Sequence, residues 1–195
     1  PAAARRPPET PAAMTAQRAH VPTLGDHAVT DLSALLGSVV WLAATVAGPL
    51  GVVERALALA PLVLVPLGVG MAGRAAFEGL AGDCYRAAVW LQPVGAVGFT
   101  ASLLAAGGAT AAALAAPWLL VTGLLGLAAL FRTLDRGGLA LPETAVDAGL
   151  AYVSVGAAAL LLYHLDVTFW FSRTIILLTA VHFHYAGFTL PVVTG

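Results

Sequence analysis

The sequence is poor in charge and in cysteine. Only 10% of its 195 residues are charged, none of the basic residues is a lysine, and the net charge is −1. Soluble domains carry roughly 25% charged residues, so an ordinary soluble enzyme is excluded. A net charge close to zero gives no basis for a nucleic-acid partner. The single cysteine, Cys84, excludes an intrachain disulfide and a cysteine-based metal site.

Most of the chain is apolar. Ala, Val, Ile, Leu, Met, Phe, Trp, Tyr and Cys account for 59% of the chain, and the mean hydropathy is +0.90. A chain of this size cannot hide so much apolar surface from water by folding alone. We therefore expect the lipid bilayer to be its principal partner.

Six segments are apolar enough to cross a bilayer core, which needs roughly 20 residues of helix. Each is nearly free of charge and apolar all round, whereas barrel strands would alternate apolar and polar residues. The sequence therefore predicts an all-α polytopic transmembrane helix bundle. The predicted spans lie near residues 32–50, 56–73, 87–107, 109–131, 145–163 and 174–194.

Residues 1–31 differ from the rest in composition. They are rich in Pro and Ala, hold Arg5, Arg6 and Arg18, and show no apolar period. This pattern predicts a disordered N-terminal tail. A secretory signal with 32–50 as its apolar core is the alternative, but that run is long and stands far from its cationic flank.

The arginines predict the orientation. Seven lie in the tail and in the second and fourth loops, and two lie in the first, third and fifth loops. Basic residues in short loops are retained on the cytoplasmic side. We therefore expect a cytoplasmic N-terminus.

The sixth predicted span carries the strongest functional candidates. Ionisable side chains at mid-depth are costly and usually face a bundle interior or a cavity. The candidates for substrate binding or proton relay are His182, His184, Tyr185 and Thr179, and Gly187 and Pro191 would permit a local break in the helix.

The two histidines cannot chelate one ion from a regular helix, because residues i and i+2 lie about 200° apart. Either the two rings serve different neighbours or the helix opens locally. The face that holds Thr179, His182 and Tyr185 is the more polar one, which predicts that His182 faces inward. A metal or haem site built on His182 and His184 stays an alternative, and so does plain hydrogen bonding between helices.

A second group of polar residues gathers on the predicted outer side. These residues would line a vestibule or form ordinary interfacial ion pairs, which are the commoner outcome. The group comprises Glu54, Arg55, His164, Asp166 and Arg173.

Three stretches of the sequence are distinctive: ERALALAPLVLVPLG from Glu54, DAGLAYVSVGAAAL from Asp147 and, most specifically, LTAVHFHYAGFTLPVVTG from Leu178. They resemble the YndJ family of bacterial multi-pass membrane proteins. The resemblance implies a multi-pass protein of the bacterial cytoplasmic membrane, sometimes labelled a transporter. It implies His182, His184, Tyr185 and Gly187 as signature residues, accompanied by Glu54. Family members usually continue past the last motif, so we expect either a fragment or a short member.

Three functions remain open from the sequence. The first is a transporter-like protein that uses the His/Tyr cluster for substrate binding or proton relay. The second is a metal- or haem-binding redox membrane protein that uses the same histidines. The third is a structural or accessory membrane subunit. Enzymatic activity is not favoured, the sequence requires no cofactor, and a homo-oligomer is compatible with it.

Overall fold

The computed structural model describes residues 21–74 and 77–195. Two short strands, β1 (Thr23–Leu24) and β2 (His27–Ala28), form an antiparallel hairpin before the first helix. Six long helices follow: α1 Val29–Ala47, α2 Val52–Ala72, α3 Gly79–Leu104, α4 Gly108–Arg136, α5 Leu141–His164 and α6 Arg173–Thr194. Each is long and apolar enough to cross a membrane, which confirms the prediction of an all-α bundle of six spans.

Each helix begins before the apolar segment that predicted it, whereas α1, α2 and α3 end slightly before the ends of theirs. The largest difference is in α3, which begins at Gly79 and not at residue 87. Asp83 and Arg86 lie within its first turns and form an exposed ion pair with 2.5 Å between Oδ1 and Nη2. Apolarity marks only the part of a helix that lies in hydrocarbon, and charged residues spaced i, i+3 continue the helix into water.

Part of the predicted tail is folded. Residues 1–20 lie outside the described residues, but residues 21–31 form the hairpin and the first turn of α1. The turn of the hairpin contains Gly25, whose φ of +61° is in the left-handed region that glycine adopts without strain. Val21 is buried and so helps to hold this hairpin against the bundle. The structure therefore differs from the prediction of a disordered tail over 21–31.

The short connections make neighbouring helices antiparallel. Helices α3, α4, α5 and α6 pack in chain order, and α6 then closes against α2. Helix α1 packs on α2 and lies at the edge of the bundle, with only four buried residues. The core holds large side chains from α2 to α6, including Leu57, Tyr85, Trp118, Leu150 and Phe188.

Two of the six helices contain a π-helical segment. In α2 it covers Ala60–Leu64, and in α6 it covers Tyr185–Thr189. Each segment ends shortly before a proline, Pro66 or Pro191. A proline ring clashes with the carbonyl four residues earlier, and a π turn relieves that clash by widening the helix. The widened turns thus accommodate Pro66 and Pro191 inside these two helices.

Candidate functional site

His184 lies in the centre of the bundle. It is 0% exposed. The indole Nε1–H of Trp118 on α4 donates to its Nε2 at 3.0 Å. Because an indole N–H can only donate, Nε2 must be the acceptor and the ring proton is assigned to Nδ1. That Nδ1–H donates to the carbonyl of Ala180 at 2.7 Å. Both ring nitrogens of a neutral imidazole are therefore hydrogen-bonded.

Residues from three other helices enclose this ring. Trp118 lies nearly parallel to it, with ring centroids 6.2 Å apart. Phe99 on α3 meets it edge-on at 5.4 Å. On α5, a Cβ added to Gly156 would lie 2.6 Å from Nδ1, so only glycine fits at that position. We call Phe99, Trp118, Gly156 and His184 the His184 cluster, because it joins α3, α4, α5 and α6.

The hydrogen bonds restrict what His184 can do chemically. A second proton can be added only at Nε2, where the lone pair already accepts from Trp118. Protonation of the ring therefore requires that Trp118 and His184 separate. An imidazole in this arrangement links a change of charge to a change in the contact between α4 and α6.

His182, two residues earlier, is exposed on the outside of the bundle. The prediction that it faces inward is wrong. That prediction depended on the polar face it shares with Thr179, but the Thr179 hydroxyl donates to the carbonyl of Ile175 at 2.8 Å on its own helix. A threonine in a helix satisfies its hydroxyl in this way without facing the core, so its presence does not mark the buried side.

Tyr185 connects α6 to α2. Its hydroxyl donates to the carbonyl of Ala56 at 2.8 Å. Three residues later the ring of Phe188, fully buried, lies so close to α2 that a Cβ on Gly68 would be 2.7 Å from it. The π segment of α6 is thus joined to α2 on both sides of the π segment of α2.

The π segments leave backbone carbonyls without their usual donors. In α2 the N–H of Val65 reaches the carbonyl of Ala60, so the next donor in that register would be Pro66, which has none. The freed carbonyl of Pro61 instead accepts from Nε2 of the buried Gln92 on α3 at 2.7 Å. In α6 the N–H of Leu190 reaches Tyr185, so the same register would pair Ala186 with Pro191, which also has no N–H.

Gly187 and Pro191 are both associated with the interruption predicted in α6. Gly187 lies inside the π segment and packs beside Tyr152 of α5, whose Cβ would be 3.3 Å from a Cβ on Gly187. Pro191 follows the segment directly. The local opening that these residues were expected to permit coincides with a π turn that begins immediately after His184.

The structure divides the predicted outer vestibule into separate local contacts. Arg173 pairs with Asp166 at 2.6 Å, and both are exposed. His164 is buried at the end of α5, with its Nε2 3.0 Å from Oγ of Ser102 on α3. Arg55 donates from Nε to the carbonyl of Leu50 at 2.9 Å. Glu54 is half-buried in the first turn of α2. Arg173 and Asp166 therefore lie together, and a vestibule shared by all five residues stays a prediction.

One polar cluster was missed in the sequence. Asp147 on α5 accepts from Nε of Arg132 at 2.7 Å, from Nη2 of Arg136 at 2.9 Å and from Oγ1 of Thr133 at 2.9 Å, all on α4. The guanidinium of Arg132 also lies 4.4 Å from the ring centroid of Phe77. A signal was present, because Asp147 is the sole charged residue of segment 145–163. This cluster ties α4 to α5 near the predicted cytoplasmic end.

The structure contains cavities of about 570, 340 and 340 Å³. The largest of these three lies between α1, α2 and α3 and has an apolar lining that includes Leu36, Leu62 and Val97. None of the three is lined by His184, Tyr185 or His182. The His184 cluster is closely packed, so access to it requires movement of helices.

The two histidines do not converge on one point. His184 is enclosed by the bundle and His182 faces away from it. Among residues 21–74 and 77–195, no three His, Cys, Asp or Glu side chains come together as metal ligands. To ligate a metal, His184 would have to give up a hydrogen bond to Trp118 or to Ala180. A metal or haem site stays a prediction of the sequence.

Six apolar helices joined by short connections define a multi-span α-helical membrane protein. The family model described as YndJ-like protein matches residues 55–195, which include α3 to α6 and nearly all of α2. The chain therefore belongs to the YndJ-like family, and the predicted resemblance is confirmed. Neither the curated proteins nor the solved structures contain a match to this chain.

Proposed function

We propose that this protein is a transporter-like membrane protein in which α2 and α6 move relative to α4 and α5, with His184 as the proton-relaying or substrate-binding group. Tyr185 and the interrupted backbone of α2 and α6 complete the proposed site. The protein would operate in the cytoplasmic membrane of a bacterium.

The observation that carries this proposal is the pairing of two interrupted helices. The π segment of α6 begins at the residue after His184, and its side chains contact α2 on both sides of the α2 interruption. Secondary transporters bind substrates or ions at interrupted helices near mid-membrane, where freed backbone groups are available. π segments are also frequent at functional sites. Two such helices in contact beside a buried imidazole support transport over a purely inert bundle.

The hydrogen bonds of His184 suggest how proton transfer and movement would be coupled. Protonation at Nε2 is incompatible with the bond from Trp118, so the protonated ring favours a conformation in which α4 and α6 have separated. Loss of the proton restores the bond and the closed packing. A ligand or proton shifts such an equilibrium only through different interactions in the two states, and this hydrogen bond differs between them.

The test is a proton-flux measurement in liposomes that contain the full chain and a trapped pH dye. The decisive variant is His184→Gln, because a glutamine amide can donate to Ala180 and accept from Trp118 but cannot titrate. We expect the proton flux of His184→Gln to fall by at least about a hundredfold, the lower end of what a positioned proton-transfer group contributes. The variant should keep its helical content and thermal stability.

His182→Gln is the matched control, since it removes the exposed imidazole of the same helix. Its flux should equal that of the unmodified protein. No proton flux above protein-free liposomes would contradict the relay, and so would equal flux in His184→Gln and the unmodified protein.

A structural role is the second candidate, because both nitrogens of His184 are already hydrogen-bonded. These two hydrogen bonds would be enough for the ring to align helices without taking part in transport. If the role of His184 is structural, His184→Gln should retain every measured property, while His184→Ala should lose stability. The glutamine variant therefore separates the two candidates.

A further inference from the structure

The outward face of α6 carries a polar side chain at mid-membrane. His182 is the tenth residue of Arg173–Thr194, about 14 Å from the start of the helix at 1.5 Å per residue. Among the described residues it is the one histidine of the six helices that is exposed. It lies on a continuous exposed stripe of α6 that also contains Ile175, Leu178, Ala186, Leu190 and Val193.

Lipid is a poor environment for one residue of this face, His182. The apolar members of the stripe, such as Leu178 at 49% and Val193 at 60% exposure, are stable in contact with hydrocarbon. An imidazole is not, because it loses its hydrogen bonds to water and finds no replacement among acyl chains. Within the described part of the chain, no hydrogen bond joins the His182 ring to another residue. This cost leads us to expect that another transmembrane helix covers the stripe at this depth.

We propose that the covering helix is α6 of a second copy of this chain. Two copies inserted with one topology are related by a twofold axis along the membrane normal. The same residue then lies at the same depth in both copies, so His182 would face His182 of the second copy. A neutral imidazole is at once donor and acceptor, which makes a pair of them self-complementary without any buried charge.

The neighbours of His182 on the stripe fit this arrangement. Ala186 follows one turn later and presents only a methyl group, so two α6 helices can approach closely next to the level at which the rings would meet. Leu178, on the other side of the histidine, and Val193 supply apolar contact. The interface uses the face of α6 opposite to His184, so it leaves the His184 cluster intact and does not depend on the proposed transport.

The experiment is cysteine cross-linking of the full chain in native membranes. In a Cys84→Ser background, Leu178→Cys and Ala186→Cys place thiols on the stripe. Val97→Cys is the control, because Val97 is similarly exposed, at 55%, but lies on α3. A membrane-permeant oxidant should join Leu178→Cys and Ala186→Cys into covalent dimers and leave Val97→Cys monomeric.

A monomer at all three positions, equal cross-linking at Val97→Cys, or a cross-link to a different protein would each overturn the proposal. A second measurement tests the imidazole pair itself. In lipid bilayers of rising protein density, His182→Leu should raise the dimer dissociation constant about threefold, the effect expected for one interhelical hydrogen bond. An unchanged constant contradicts the His182 pair.

Discussion

The two faces of α6 place chemically identical side chains in opposite environments. His184 is fully buried, and both of its ring nitrogens bond to protein atoms. His182 is exposed, on the side of the helix that no described helix covers at this depth. The residues differ by two positions and about 200° of rotation. The residues around each ring, and not its depth in the membrane, therefore determine what each histidine can do.

The difference in environment gives the two histidines different roles. The inner face joins four helices through one neutral imidazole, so substitutions there should affect folding and any coupled movement. The outer face contributes little to the single chain and would act only between chains. Four substitutions test this division, beginning with the largest expected effect.

His184→Ala should be the most damaging change. It leaves a cavity among Phe99, Trp118 and Gly156 and strands the indole N–H of Trp118 without an acceptor. We expect the free energy of unfolding in detergent or bicelles to fall by about 3 kcal/mol. Denaturant titration followed by circular dichroism measures it. His182→Ala is the control, and equal losses in the two variants would remove the distinction between the faces.

Gly156→Ala should cost about 2 kcal/mol, because the added Cβ overlaps the ring of His184 and forces α5 and α6 apart. Gly123→Ala on α4 is the matched control, since a Cβ there meets no atom within 4 Å. It should leave stability unchanged or raise it slightly through helix propensity. Thermal unfolding of both variants checks the pair, and a stable Gly156→Ala would argue against tight packing at His184.

Trp118→Phe tests the hydrogen bond between Trp118 and His184 on the inner face. Phenylalanine fills most of the same space but removes the N–H that donates to His184. The expected loss is about 1 kcal/mol, the cost of one buried acceptor left without a donor. Under the transport proposal, proton flux should rise, since Nε2 becomes free to accept a proton. Trp90→Phe, at an exposed position of α3, should change neither quantity.

His182→Leu should have the smallest effect on the single chain, within about 0.5 kcal/mol of the unmodified protein. Its ring has no hydrogen-bond partner within the described chain, and leucine suits a face in contact with lipid. Stability is best measured at high dilution in detergent, where copies are separated. A loss comparable to that of His184→Ala would show that the outer face contributes to the fold of the monomer.

The sequence predicted the helices well and the site only in part. Six apolar segments indicated six helices, because a bilayer requires about 20 apolar residues whatever their neighbours are. The proposed importance of His184 and Tyr185 followed from their depth. The hairpin at Thr23–Ala28 was missed, because two-residue strands leave no periodic signal.

The inward face of α6 was predicted wrongly, and Asp147 was overlooked. A helix that is apolar on nearly every side has no strong amphipathic pattern, so its orientation cannot be read from periodicity. One side of α6 is buried because it packs closely against Gly149 and Gly156 of α5 and against Gly68 of α2. Asp147 comes within hydrogen-bond distance of Arg132 and Arg136 only because the connection after α4 reverses the direction of the chain.

The apolar segments and the family motifs were enough to establish that this chain crosses a membrane as helices and belongs to the YndJ-like family. Hydrophobic transfer depends on composition and length, which are local properties of the chain. The packing of the helices determines which imidazole is enclosed and which is left outside. It also determines which freed carbonyl accepts a hydrogen bond from the amide of Gln92. Hydrogen bonds and close packing are specific in direction and distance, so they exist only once the partner helices are in place.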